Sequence, residues 1–310
     1  MKALGGLVRA MRPRQWTKNL FVFAPLLFSH DWHKEGKVLR TAATFAIFCL
    51  LSSGVYLMND LADREADRLH PKKKTRPIAA GEVGVGAAAA AAVVLVLGAL
   101  AWARFGLASN RVPAVCATYL VIQVLYTFWL KRVVIVDVMC IASGFVLRMI
   151  AGGTAAWVTA SAWILVCTIF VSLFLALCKR RHEVVSLKDD AARHRAILAD
   201  YPPALLDQLI AVATACILVT YALYTVDPRT AEAHSLYLDA LKPDGKPQES
   251  PILAVTLPCV IFGIFRYLYL VYRREGGGSP TETLLKDAPT LVNGALYAAL
   301  VVAVFHFAAR

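Results

Sequence analysis

Paired cysteines are missing from this sequence. Its seven cysteines lie at 49, 116, 140, 167, 178, 216 and 259, and no two are spaced C-x-x-C. All sit in or at the ends of apolar runs, so they read as small core hydrophobes with no metal or disulfide role. Strict apolar–polar alternation is also missing, which argues against a β-barrel as the way across a membrane. No small-residue cleavage site follows the first apolar run, so no removable signal peptide is expected. Acidic residues are few, 21 against 33 Lys plus Arg, for a formal net charge of +12. The basic residues fall in short loops between apolar runs. The charge therefore points to a membrane and away from nucleic acid.

Apolar residues dominate: 58% of the 310 are hydrophobic, and mean hydropathy is +0.58. Runs of about 18 to 22 apolar residues recur, each long enough for a bilayer core of about 30 Å. The expected fold is an all-α polytopic membrane protein, a single domain over 1–310, with nine transmembrane helices. They are placed near 13–29, 39–58, 84–104, 112–130, 133–152, 160–178, 206–226, 251–272 and 288–308. Pro13 suits a first helical position and Pro25 a kink, while Ala87 to Ala92 permits close helix packing. A polar loop over 227–250 carries turn chemistry at Pro243-Asp244-Gly245. With the N-terminus inside and the C-terminus outside, inside segments hold 22 Lys/Arg and outside segments 9. This bias predicts a multi-pass protein of the cytoplasmic (inner) membrane, with loops 59–83, 131–132 and 179–205 in the cytoplasm.

One stretch organises the rest: Asn59-Asp60-Leu61-Ala62-Asp63-Arg64-Glu65-Ala66-Asp67, followed by Lys72-Lys73-Lys74-Thr75-Arg76. On one helix, at about 100° per residue, Asp60, Asp63 and Asp67 share an arc of roughly 60°, with Asn59 beside them. Carboxylates on one face repel unless a cation lies between them. Oxygen ligands with open positions suit Mg²⁺ together with substrate phosphates. A solvated acidic helix is the alternative. The membrane-edge position and the Lys/Arg cluster favour a metal-diphosphate site.

Other polar residues carry two readings each. Lys18 and Asn19 are either interfacial anchors beside Trp16 or groups at the mouth of the site. Tyr126, Lys131 and Asp137 follow the fourth span much as the acidic stretch follows the second, a weak internal repeat. Lys131 alone reads as a snorkelling lysine. Asp137 lies inside an apolar run, and Arg148 is about 16 Å deeper on the same helical face. Intramembrane ionisable residues are costly, so a cavity-lining stripe is favoured over a structural ion pair. Arg266 and Tyr267 are either structural or contacts for an acceptor phosphate. Lys179, Arg180 and Arg181 are either topology anchors or phosphate ligands.

The pattern Asn-Asp-x-x-Asp-x-x-x-Asp at 59–67, with nine expected spans, resembles the UbiA superfamily of intramembrane prenyltransferases. Nearly the whole chain is covered. Arg12-Pro13-Arg14-Gln15-Trp16-Thr17-Lys18-Asn19, Asp67-Arg68-Leu69-His70-Pro71, Arg76-Pro77-Ile78-Ala79-Ala80-Gly81, Tyr126 with Leu130-Lys131 and Asp137, and Leu175 to Arg181 are similar to its phosphoribosyl-transferring branch. Many prenyl-diphosphate users carry a second Asp-x-x-x-Asp, but here Asp137 is followed four residues later by Ile141.

The resemblance implies a central cavity open to the cytoplasm. It also implies a Mg²⁺-dependent pentosyltransferase that moves 5-phosphoribose from phosphoribosyl diphosphate (PRPP) to decaprenyl (polyprenyl) phosphate. Its product would be a precursor of cell-wall arabinogalactan. Asn59, Asp60, Asp63 and Asp67 would hold the metal, and Lys72, Lys74 and Arg76 the donor's phosphates. Tyr126, Lys131 and Asp137 would close the catalytic site opposite. Small residues on several spans permit a homo-oligomer. The competing readings are a UbiA-type prenyltransferase with a prenyl diphosphate and a small aromatic acceptor, and a lipid or ion transporter.

Overall fold

The computed structural model describes residues 2–29, 34–69, 73–107, 109–187, 197, 200–227, 236–241, 247–250, 252–273 and 286–308. The chain forms two compact units, Met1–Ala160 and Ser161–Arg310. The first contains α1 (Lys2–Ala10), a 3-10 helix (Pro13–Phe23), α2 (Ala24–Leu27), α3 (Glu35–Ala62), α4 (Arg64–Leu69), α5 (Val85–Phe105), α6 (Arg111–Phe128) and α7 (Val136–Ala156). The second contains α8 (Ala162–Leu187), α9 (Pro203–Val226), α10 (Leu257–Arg273) and α11 (Ala288–Ala308). It also carries an antiparallel ribbon, β1 (Leu236–Leu241) with β2 (Pro247–Ser250), where the sequence suggested only a polar loop. The expected turn at 243–245 lies outside the described residues.

Seven described helices are long and apolar enough to cross a membrane: Glu35–Ala62, Val85–Phe105, Arg111–Phe128, Val136–Ala156, Ala162–Val185, Pro203–Val226 and Ile252–Arg273. With its UbiA-like sequence, this makes the chain an integral membrane protein. Ala288–Val304 is a shorter apolar helix. The stretch expected as a first span, 13–29, is instead a 3-10 helix running into the four-residue α2. Arg12 enters it in the left-handed conformation, and Pro13 fixes the first position.

Close packing in the first unit is set by small residues. On α5 the buried residues are Ala88, Ala99 and Ala103, while Val93, Val94 and Leu97 face outward. Gly54 of α3 meets that helix so closely that a Cβ there would lie 2.7 Å from Val96 Cγ2 and 3.2 Å from the Ala92 carbonyl. The 3-10 helix lies against α7 at Gly152, where a Cβ would overlap the Val22 carbonyl. Val22, Phe48, Leu51, Tyr119 and Ala151 then form one core across these elements. Loop 76–83 is anchored separately: Ile78 and Val83 sit with Ala10, Leu57 and Ala88 in a second apolar cluster.

In the second unit, α8 and α9 pack together. The Arg266 guanidinium of α10 is bound by Asp287 at 2.8 and 3.0 Å, and Asp287 also accepts from Thr290 at the start of α11. The hydrogen bonds from Arg266 hold the Asp287 carboxyl below the usual carboxylate range. All seven cysteines are free thiols, six of them buried.

The Gly152 contact is with backbone, which cannot swing aside. Gly152→Ala is expected to cost about 1–3 kcal/mol through overpacking. Thermal unfolding in detergent measures this, and Gly98→Ala, where a Cβ meets nothing within 4 Å, is expected to show no loss.

Candidate active site

The acidic stretch is not one continuous helix, which corrects the single-arc expectation. Helix α3 stops at Ala62, Asp63 caps it at φ −97°, and α4 restarts at Arg64. The break divides the carboxylates. Asp60 and Asp67 turn inward, 2% and 3% exposed, whereas the Asp63 side chain is 40% exposed.

Each carboxylate has found a cation. Arg76 Nη1 donates to Asp60 Oδ1 at 3.0 Å and to Asp67 Oδ2 at 2.6 Å. Arg12 forms a second ion pair with Asp60 and lies over the Tyr56 ring at 4.8 Å. Lys131 Nζ donates to Asp63 at 2.6 Å from the turn after α6. Two buried carboxylates around one guanidinium offset the repulsion that their proximity creates. The anchoring of Ile78 places Arg76, and Arg68 Nε donates to the Ala79 carbonyl at 3.2 Å to hold the same loop. Lys74 is exposed on the short 3-10 turn Lys73–Thr75. Lys72 lies outside the described residues.

The expected second half-site adjoins the first. Thr127, next to half-buried Tyr126 on α6, donates to Asn59 Oδ1. The turn between α6 and α7 brings Lys131 to Asp63, and it passes through Ile135 at φ 69°, a rare conformation for a β-branched residue. Asp137 is fully buried in the first turn of α7. Further along α7, Arg148 is 6% exposed. Its Nε donates to Asn19 Oδ1 at 2.7 Å, Nη1 to the Gly144 carbonyl at 2.7 Å and Nη2 to the Tyr119 hydroxyl at 3.1 Å. Asn19 is buried and in turn donates to Ser52 Oγ and Cys49 Sγ, each at 3.3 Å.

The remaining sequence candidates belong to the second unit. Arg180 is buried and paired with Glu183. Arg181 donates to Asp207 at 2.5 Å and lies 3.9 Å over the Tyr272 ring. Lys179 is half-buried, 3.8 Å from Glu183. Arg266 is engaged by Asp287, and Tyr267 is buried against Phe174, ring centroids 5.5 Å apart.

Sequence reading gave no site role to Arg12 or Thr127. Arg12 stood there only as the head of the basic motif 12–19. Its pairing depends on a left-handed turn that the sequence does not announce. Thr127 was overshadowed by its tyrosine neighbour.

Among the described residues no three His, Cys, Asp or Glu groups converge as a metal site. The donor chemistry nevertheless fits a hard divalent cation. Asn59, Asp60, Asp63 and Asp67 supply oxygen only, and buried Asp60 Oδ2 has no hydrogen-bond partner. An orphaned carboxylate oxygen at that depth is costly without a cation or donor.

Comparison with known proteins gives consistent results. Residues 20–280 match the model of the UbiA prenyltransferase family. A decaprenyl-phosphate phosphoribosyltransferase from Corynebacterium glutamicum is 35% identical over 286 residues, covering 91% of this chain and 81% of that protein. One from Mycolicibacterium smegmatis is 34% identical over 290 residues, 92% and 87% of the two chains. The solved UbiA homolog from Archaeoglobus fulgidus bound to GPP and Mg²⁺ superposes with a TM-score of 0.68 at 18% identity, covering 97% of this chain and 99% of that one.

The two kinds of ion pair differ in worth. Arg76→Met leaves Asp67 buried without its cation. It is expected to destabilise by about 2–3 kcal/mol, less than for a fully enclosed pair because Arg76 keeps some solvent contact. Lys131→Met removes a partner of half-exposed Asp63 and is expected to cost about 0–1 kcal/mol. Thermal unfolding of the purified variants distinguishes them.

Proposed function

The chain belongs to the UbiA prenyltransferase family, and on that premise we propose that it transfers 5-phosphoribose from PRPP to a polyprenyl phosphate. Diphosphate is released and a lipid-linked phosphoribose is formed, with decaprenyl phosphate as the acceptor and arabinan cell-wall precursors as the destination. The observation that carries this reading is the resemblance to the Corynebacterium glutamicum phosphoribosyltransferase across 91% of the chain. Ile141, where a second carboxylate motif would continue from Asp137, agrees with it.

An oxygen of the acceptor phosphate attacks C1 of the ribose as the C1–O bond to diphosphate breaks. The nucleophile is already anionic, so no strong general base is needed. Arg76, Lys74 and Lys72 bind the diphosphate or the 5-phosphate, where guanidinium and ammonium groups match phosphate oxygens. Tyr126, Lys131 and Asp137 close the opposite side. Mg²⁺ held by Asn59, Asp60, Asp63 and Asp67 would neutralise charge on the leaving diphosphate. Lys179, Arg180, Arg181, Arg266 and Tyr267 serve the substrates' phosphates in the same proposal. The whole chain acts as one catalytic domain in the inner membrane, N-terminus inside, with a cavity that admits the soluble donor from the cytoplasm.

The second reading is transfer of a prenyl group from a prenyl diphosphate, favoured by the Archaeoglobus neighbour bound to GPP. Purified protein with Mg²⁺, labelled PRPP and polyprenyl phosphate is expected to yield a charged labelled lipid. Diphosphate release only with prenyl diphosphate and a quinoid acceptor would decide for the second reading.

Two outcomes follow for the acidic residues. Asp63→Ala, at the half-exposed carboxylate, is expected to cut turnover by about 10²-fold or more while leaving the unfolding midpoint nearly unchanged. Chelation with EDTA is expected to stop turnover and added Mg²⁺ to restore it; undiminished activity in EDTA would refute the metal role.

A further inference from the structure

Arg148 is a buried cation with no carboxylate partner among the described residues. Its acceptors are an amide, a carbonyl and a phenol, all neutral. Around it stand the rings of Phe48, Tyr119 and Phe145, at 5.7, 5.0 and 5.6 Å from the guanidinium carbon to the ring centres. A lone guanidinium in such surroundings is expensive unless an anion joins it.

A second cation is nearby and also lacks a counter-charge. Lys18 is half-buried, adjoins the Asn19 that accepts from Arg148, and has no hydrogen-bond acceptor among the described residues. A third donor converges from α6. The point where a Cβ on Gly144 would sit is 3.2 Å from Arg148 Nη1 and 3.5 Å from Gln123 Nε2. No side-chain acceptor is found for that Gln123 amide among the described residues.

The arrangement differs from the carboxylate site. At Asp60, Asp63 and Asp67 each cation is matched by an acid, as suits a metal-bound ligand. At Lys18 and Arg148 positive charge is in excess, and aromatic rings form the wall. A phosphate monoester, with a charge of about −1.5 to −2 at neutral pH, balances two cations. The lining selects how it arrives. Arg148 is about 16 Å beyond Asp137 along α7, and its wall of Phe48, Tyr119 and Phe145 suits a phosphate carried on an apolar chain better than a hydrated sugar. Arg12, which caps the same 3-10 helix that carries Lys18, pairs with Asp60 and so joins the two sites.

We propose that Lys18, Arg148 and Gln123 form a seat for the acceptor's lipid monophosphate, separate from the donor's diphosphate at the carboxylates. This assignment rests on the transfer proposed above. It makes Lys18 and Arg148 determinants of acceptor specificity: they select a monophosphate on a polyprenyl chain.

The test uses full-length protein in nanodiscs, with farnesyl phosphate as the probe and farnesol, inorganic phosphate and PRPP as comparisons. Lys18→Gln and Arg148→Gln are each expected to weaken farnesyl phosphate binding by about tenfold or more, with PRPP binding within about twofold of the parent. Farnesol binding is expected to stay unchanged. Gln123→Ala is expected to show a smaller loss in the same direction. Should Arg148→Gln fail to fold, Lys18→Gln and Arg148→Lys carry the test.

Loss of PRPP affinity in place of farnesyl phosphate affinity, or no change in either, would overturn the seat. Inorganic phosphate competing as well as farnesyl phosphate would overturn the lipid assignment. If the parent protein binds farnesyl phosphate through these residues yet forms no phosphoribosyl lipid, the transfer reaction fails and the seat stands. If product forms but the variants alter only the PRPP dependence, the reaction stands and the seat fails.

Discussion

The bifurcated contact of Arg76 with Asp60 and Asp67 is the constraint on which the first unit depends. It holds two buried carboxylates close together, which neither desolvation nor mutual repulsion would allow alone. It also ties loop 76–83 to the end of α3, and that loop is fixed by Ile78 and Val83 in apolar packing. Hydrophobic anchoring and charge pairing therefore cooperate: the apolar cluster aims the guanidinium, and the guanidinium keeps the acids in place.

Around this contact the unit separates two electrostatic environments. Near the end of α3, acids and bases alternate, and the excess is small. At Arg148 on α7, no carboxylate among the described residues matches the positive charge, and the surroundings are aromatic. Such a division suits the proposed reaction, whose two substrates come from solvents of different polarity. The 3-10 helix is the strip that touches both, with Arg12 at one environment and Lys18 and Asn19 at the other. Its seat against Gly152 brings Asn19 within reach of Arg148.

Much of this was legible in the residues. Apolar runs located the long helices well, because length and hydropathy dictate a span directly. Asp137 and Arg148 were readable as one polar stripe on the same helix, since helical periodicity is local; α7 carries both, and both are buried. The break at Asp63 was not legible. Helical spacing predicts a continuous face, but packing turns Asp60 and Asp67 inward and leaves Asp63 for Lys131, 68 residues away. The 3-10 form of 13–23 was equally hidden, because hydropathy does not distinguish helix types and the choice is made by the contact with α7. The strands Leu236–Leu241 and Pro247–Ser250 escaped notice because they are short and are flanked by polar and turn-forming residues.

Arg12 sits at φ 56° and ψ 59°, a conformation that a residue with a Cβ adopts at a cost of about 1 kcal/mol or more. Glycine would relieve that strain but remove the charge that reaches Asp60. At the turn that opens the 3-10 helix, backbone strain and charge pairing are therefore opposed. Asp60 is buried, so losing its ion pair would cost more than the strain relieved. A heat-adapted version of the chain would keep this arginine and find its extra stability elsewhere, away from that turn.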